Sequence, residues 1–256
     1  EVRECETPGN PAAGADWQMS WPYTGLDTTC LDLRELAAGP FTLNVEADPA
    51  GVGDVTGSGT YAAGELADVT ATATDPCYAF DHWEGDVADP DDPTTTVEMT
   101  ANKTVTAVFA LEQYTLTTLV DPAGVGTVTG GGMYDCGTDA TVTATATDPC
   151  YEFDRWDGDV ADPNSATTTV AMDANKTVTA VFTLKQYTLM ANVEPAGVGV
   201  VNGCGTFDCG TDATVTATST DPCWYFDHWE GDVADPNSAT TTVTMDDNKT
   251  ITAVFK

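Results

Sequence analysis

Positive charge is scarce in this chain. Its 256 residues include 41 Asp and Glu but only 8 Lys and Arg, a formal net charge of −33. Binding phosphate takes clusters of Lys and Arg, so nucleic acid and anionic lipid are excluded as partners. Histidine is nearly absent, with two residues, and the cysteines form neither a C-x-x-C pair nor a Cys/His cluster. That sets zinc aside. No run of 18 apolar residues occurs, so no direct membrane insertion through a helix is expected.

What is present points to an exported, folded protein. Hydrophobic residues make up 41% of the chain and aromatics recur regularly, which argues against disorder despite the charge. The acid is mostly Asp. It fits either a surface adapted to high salt, where screening removes self-repulsion, or one that collects divalent cations. Eight cysteines, an even number in an acidic, Thr-rich chain, imply disulfides and an oxidising compartment. A start at Glu1 in place of Met fits signal-peptide removal, as it also fits a trimmed chain.

The dominant feature is repetition. A shift of 73 residues aligns the chain with itself from Phe41 to Phe255 without a gap. Phe41, Tyr114 and Tyr187 open the repeats, each followed by Thr-Leu. Pro49, Pro122 and Pro195 precede Ala-Gly-Val-Gly, and Tyr61, Tyr134 and Phe207 align. Cys77, Cys150 and Cys223 end Asp-Pro-Cys triplets, and Trp83, Trp156 and Trp229 precede an acidic loop. Phe109, Phe182 and Phe255 close the units. The expected organisation is an N-terminal cap or subunit-pairing segment at 1–40, then β repeats at 41–112, 113–185 and 186–256.

Each repeat reads as strands. From Thr141 to Thr147, Thr alternates with Val142, Ala144 and Ala146, the period of two that gives a strand one apolar face. Val178, Ala180 and Phe182 alternate likewise. Met172-Asp173-Ala174-Asn175-Lys176 has the composition of a tight hairpin turn between the last two strands. The expected fold class is all-β: three tandem small β-rich domains arranged as a rod, with an N-terminal extension. A core this small calls on its Phe, Tyr and Trp residues and a disulfide to compensate.

The order Tyr-Thr-Leu, Pro-Ala-Gly-Val-Gly-Thr-Val, Tyr-x-x-Gly, Phe-x-x-Trp-x-Gly-Asp and Asn-Lys-Thr-Val-Thr-Ala-Val-Phe resembles the divergent internalin B-repeat family over residues 41–256. The resemblance implies small β modules strung in tandem in bacterial and archaeal surface proteins, acting as spacers, stalks or adhesive segments. It brings no catalytic residues. The cysteines and the density of acid depart from the family pattern.

Cys136 and Cys150 occupy the repeat positions of Cys209 and Cys223, so the simplest expectation is one bridge inside each repeat, Cys136–Cys150 and Cys209–Cys223. Each would close a loop of about 15 residues and contribute roughly 3 kcal/mol. Repeat one has Ala63 in place of the first cysteine, and Cys204 is an addition where repeat two has Gly131. Cys5, Cys30, Cys77 and Cys204 stay unassigned. The plain pairing is Cys5–Cys30, with Cys77 and Cys204 left over; pairing Cys77 with Cys5 or Cys30 instead leaves one N-terminal cysteine and one in the last repeat, which would join molecules head to tail. A local Cys204–Cys209 bridge or a free thiol is the alternative.

Other residues carry candidate labels. Calcium is held by several oxygens from one flexible loop, which makes Asp86, Asp89, Asp159, Asp162, Asp232 and Asp235 candidate ligands; a solvated acidic loop is the plainer reading. Asn102, Asn175 and Asn248 each begin an Asn-Lys-Thr glycosylation acceptor, and the triple-Thr runs at 94–96, 167–169 and 240–242 suit O-glycans or an exposed strand face. His82 and His228 align with Arg155, a substitution that a catalytic role would not tolerate. No nucleophile–His pair falls within a repeat, and none of the glycine runs has phosphate-loop context. The expected protein is therefore non-enzymatic and extracellular, without a cofactor unless calcium binds. It is read as the subunit of a cell-surface filament or stalk that polymerises with itself. An adhesin or glycan-binding array is the alternative.

Overall fold

The structure, a computed structural model, describes residues 40–256. The segment ahead of Pro40, with Cys5, Cys30, Trp17, Trp21 and Tyr23, lies outside the described residues. All regular structure among the described residues is β-strand, as the alternating pattern predicts. The chain divides between Ala110 and Leu111 into two compact units, the second holding repeats two and three.

Repeat one contains β1 (Phe41–Asp48), β2 (Gly53–Thr56), β3 (Gly59–Tyr61), β4 (Leu66–Ala73), β5 (Tyr78–Glu84), β6 (Thr94–Glu98) and β7 (Lys103–Leu111). Repeat two contains β8 (Gln113–Asp121), β9 (Gly126–Thr129), β10 (Gly132–Asp135), β11 (Asp139–Ala146), β12 (Tyr151–Asp157), β13 (Thr167–Ala171) and β14 (Lys176–Leu184). Repeat three contains β15 (Gln186–Glu194), β16 (Gly199–Asn202), β17 (Gly205–Asp208), β18 (Asp212–Ser219), β19 (Phe226–Glu230), β20 (Thr240–Thr244) and β21 (Lys249–Phe255).

Every repeat folds the same way, as two sheets. The larger has the order β3-β1-β7-β5, recurring as β10-β8-β14-β12 and β17-β15-β21-β19. The smaller is β2-β4-β6, recurring as β9-β11-β13 and β16-β18-β20. All pairings are antiparallel except the centre of the larger sheet, where the first and last strands of a repeat run parallel: Leu116–Asp121 lies beside Lys176–Val181. A parallel pair needs a long crossover, and here the crossover is the rest of the repeat.

The two sheets bury one face each against the other. Along β11, Ala140, Val142 and Ala144 are buried while Asp139, Thr141 and Thr145 face solvent. Along β14, Val178, Ala180 and Phe182 supply the opposing face, with Trp156 from β12 and Met172 between the sheets. Phe153 packs edge-on to Phe182, centroids 6.1 Å apart, and tilted against Trp156 at 5.8 Å. Such contacts add to the area each ring buries. Gly126 makes room for this cluster, because a Cβ there would stand 2.5 Å from Phe182 Cζ. Gly53 and Gly199 face Phe109 and Phe255 in the same way. The aromatic residues that open each repeat pair across strands, Tyr114 with Tyr134 and Tyr187 with Phe207.

One local expectation is corrected. Met172–Lys176 does not turn a hairpin: β13 pairs with β11 in the small sheet, and β14 pairs with β8 and β12 in the large one. The segment carries the chain from one sheet to the other. Met172 is fully buried at that crossing, and Asn175 Oδ1 accepts a hydrogen bond from Thr115 N of β8 at 2.7 Å. Asn102 and Asn248 do the same for Thr42 N and Thr188 N, so the Asn is selected by a bond to the first strand rather than by hairpin geometry.

Candidate functional site: the junction between repeats

Repeats two and three are joined by a single residue, Lys185, between β14 and β15. Both its backbone groups and its side chain are used. Lys185 N donates to Cys150 O at 2.8 Å, its carbonyl accepts from Cys209 N at 2.9 Å, and Nζ donates to Pro149 O at 2.8 Å. This draws the Asp-Pro-Cys turn of repeat two and the turn after β17 of repeat three onto one linker. The Cα atoms of Cys150 and Cys209 stand 5.3 Å apart and the two residues form a disulfide, with a sequence separation of 59. That Cα distance lies at the centre of the range a disulfide adopts.

The expected bridges Cys136–Cys150 and Cys209–Cys223 are therefore corrected. Cys136 follows β10 and Cys150 precedes β12, and these are opposite edges of a four-stranded sheet. Three strand spacings, about 14 Å, separate such edges, more than twice the reach of a disulfide. The same holds for Cys209 after β17 and Cys223 before β19. The bond runs between repeats instead of within them. Cys77 and Cys136 are each disulfide-bonded as well. Cys204 and Cys223 are exposed and free. Cys5 and Cys30 lie outside the described residues.

The acidic loops have structural employment. In each loop the second Asp caps a turn: Asp89, Asp162 and Asp235 accept through Oδ1 from the backbone N of residues 91, 164 and 237, at 3.1, 2.9 and 2.9 Å. Their own backbone N–H groups donate to Thr95, Thr168 and Thr241 Oγ1 at 2.9 Å. These central residues of the triple-Thr runs are buried, and only their neighbours face outward. The indole N–H of Trp83, Trp156 and Trp229 donates to Asp92, Ser165 and Ser238 O.

The first Asp of each loop is taken by a lysine that the sequence reading overlooked. Lys103 reaches Asp86 at 2.5 Å, Lys176 reaches Asp159 at 2.5 Å, and Lys249 pairs with Asp232. The spacing of 17 residues in every repeat was the available signal. Lys176 also meets Asp173 at 2.9 Å and Lys249 meets Asp246 at 2.7 Å. Asp159 first, and then Asp173, raise the Lys176 pKa, and Asp232 and Asp246 do so for Lys249. In return the hydrogen bonds from Lys176 and Lys249 lower the pKa of Asp173 and Asp246. Among the described residues no three His, Cys, Asp or Glu are grouped so as to hold a metal ion.

The remaining candidates lie apart. Asn102, Asn175 and Asn248 are exposed in the crossovers between sheets. His82 and His228 are surface residues paired with Asp81 and Asp227 at 2.8 and 2.7 Å, and Arg155 bridges Asp154 and Asp157 in the same place.

A sequence profile of the divergent InlB B-repeat domain matches residues 43–113, 114–186 and 189–256. No curated protein shows significant similarity to the chain. Repeats of this kind, tied by disulfides, are features of surface-associated proteins and fit an extracellular location. The three matches span most of the chain and coincide with the three sheet pairs; the chain belongs to the divergent InlB B-repeat family.

Proposed function

We propose that this protein is a structural subunit of an extracellular filament or stalk, built by adding copies head to tail. It works without catalysis and without a cofactor. The observation that carries the reading is the Cys150–Cys209 bond, which ties consecutive modules covalently where a one-residue linker already holds them. Linking modules in series is what a load-bearing element requires, and an oxidising exterior keeps such bonds closed. A contact that repeats with the same polarity and does not close on itself extends into a fibre.

The adhesin reading has less support. A glycan-binding array would present an aromatic platform in every repeat, but Trp83, Trp156 and Trp229 are each 2% exposed and serve the core. Electron microscopy of the unreduced protein tests the proposal. Filaments with an axial repeat of one three-module subunit are the expected result. Dispersed particles at every salt concentration would overturn it.

A further inference from the structure

The crossover between the two sheets ends in the same triplet in every repeat: Asn102-Lys103-Thr104, Asn175-Lys176-Thr177 and Asn248-Lys249-Thr250. The fold accounts for part of each triplet. Oδ1 of the Asn accepts from the first strand, at Thr42 N, Thr115 N and Thr188 N, over 2.8, 2.7 and 2.7 Å. The Lys pairs with Asp86, Asp159 or Asp232. Two groups in each triplet are left over. The Asn and the Thr are exposed in all three repeats, and none of the described residues hydrogen-bonds the Asn Nδ2 or the Thr hydroxyl.

The hydrogen bond to the first strand does not call for an amide. A carboxylate accepts from a backbone N–H more strongly than an amide oxygen does, and here it would sit beside a lysine. Asp or Glu stands at 41 positions of this chain, yet these three sites all keep Asn. They also all keep a hydroxyl two residues further on.

We infer that Asn102, Asn175 and Asn248 are N-linked glycosylation sites, each carrying an oligosaccharide on Nδ2. Asn, a residue other than Pro, then Thr is the spacing of the acceptor. With Oδ1 held by the first strand, Nδ2 is the amide atom that remains available. Repeat three adds a surface for the first sugar, a shallow groove open to solvent and lined by Thr188, Met190, Asn248, Lys249 and Thr250. Met190 stands opposite Thr250 on the neighbouring strand and is 60% exposed. The apolar face of a pyranose ring laid over it takes that surface out of water.

The donor class is an oligosaccharide carried on a polyprenyl phosphate or pyrophosphate. Nδ2 bonds to its anomeric carbon and gives one proton to a base of the transferase. The bond from that carbon to the phosphate oxygen breaks, and the lipid phosphate leaves with the electron pair, so no oxidant is needed. Lys176 and Thr177 lie in β14, which is paired on both sides, as β7 and β21 are in their sheets. Transfer therefore belongs to the chain before that strand inserts.

The test is peptide mapping by mass spectrometry of the full chain made in its own cells. Sugar-bearing peptides are expected at Asn102, Asn175 and Asn248. Asn175→Asp keeps an acceptor for Thr115 N, and Thr177→Val keeps a good strand residue at an exposed position. Each should lose the sugar at that site alone, with an unchanged circular dichroism spectrum, and Thr177→Ser should retain it. Bare peptides at all three Asn would overturn the inference. Sugar confined to the triple-Thr runs, or sugar on Asn175 that survives Thr177→Val, would overturn it as well. Glycosylated but dispersed particles would leave this inference standing while the polymer reading falls.

Discussion

Replacing Cys150 and Cys209 together with serine should destabilise repeat three by about 3–4 kcal/mol at 25 °C. The figure comes from loop closure. If both repeats unfold, the bond restrains a loop with a separation of 59 residues, worth about 4 kcal/mol in the chain-entropy treatment. If repeat three unfolds while repeat two stays folded, the loop runs only from Lys185 to Cys209, about 25 residues, and the value falls to about 3.5 kcal/mol. The two cases nearly agree, so the expectation does not hang on how cooperatively the repeats unfold. Urea titration read by hydrogen–deuterium exchange of β21 peptides isolates repeat three, and the control is Cys223→Ser. With the bond between repeats, that control leaves stability unchanged. A bridge inside the repeat would make the same control cost roughly 3 kcal/mol. A destabilised Cys223→Ser beside an unaffected double serine variant would refute the assignment.

Three further outcomes follow from the packing and the charges. Gly199→Ala should cost about 1–3 kcal/mol by thermal or urea denaturation, because the new methyl group meets the Phe255 ring at 2.5 Å in a filled core; Gly199→Ala combined with Phe255→Leu should recover part of the loss. Asp173 and Asp246 have pKa values below the ordinary carboxylate value of 3.8, so the stability they contribute is present above that pH and is lost as pH falls through their folded-state values. Asp173→Asn and Asp246→Asn should therefore flatten the acid limb of a stability-versus-pH curve; an unchanged limb would show that these pairs contribute nothing. Ala63→Cys restores to repeat one the thiol that repeats two and three carry, and in a head-to-tail polymer it should cross-link to the exposed Cys223 of another copy, giving multimers on a non-reducing gel that Cys223→Ser removes.

Much of this architecture was legible in the sequence because strand periodicity and a strict repeat are local signals. The alternation through β11 and the recurring Trp and Phe positions read directly as a buried face. The crossover at Met172–Lys176 did not, since Asp and Asn suit any tight reversal and only the pairing of β13 with β11 shows that the strands part company. The disulfides misled for a related reason. Chain proximity favours Cys136 with Cys150, but proximity in sequence says nothing about which edge of a sheet each strand occupies. The irregularity at Ala63 held the better clue: repeat one keeps Cys77 but lacks the first cysteine of the pair, so a bridge inside every repeat was never a rule this chain could follow. The Lys–Asp pairs were visible as a constant spacing of 17 residues but had no meaning until two loops were seen to meet.

The Cys150–Cys209 bond also changes how the chain carries tension. A pull applied to the ends of repeats two and three passes from Cys150 through sulfur to Cys209 and by-passes the 58 residues between them. Those residues can lose their strands under load without lengthening the molecule. At roughly 3.4 Å per extended residue, close to 200 Å of chain is held in reserve and cannot be drawn out while the bond is closed. Reduction releases that reserve. In an oxidising exterior tension can draw out only the chain on either side of the bond, and in a reducing one the stretch between the two cysteines adds its own length.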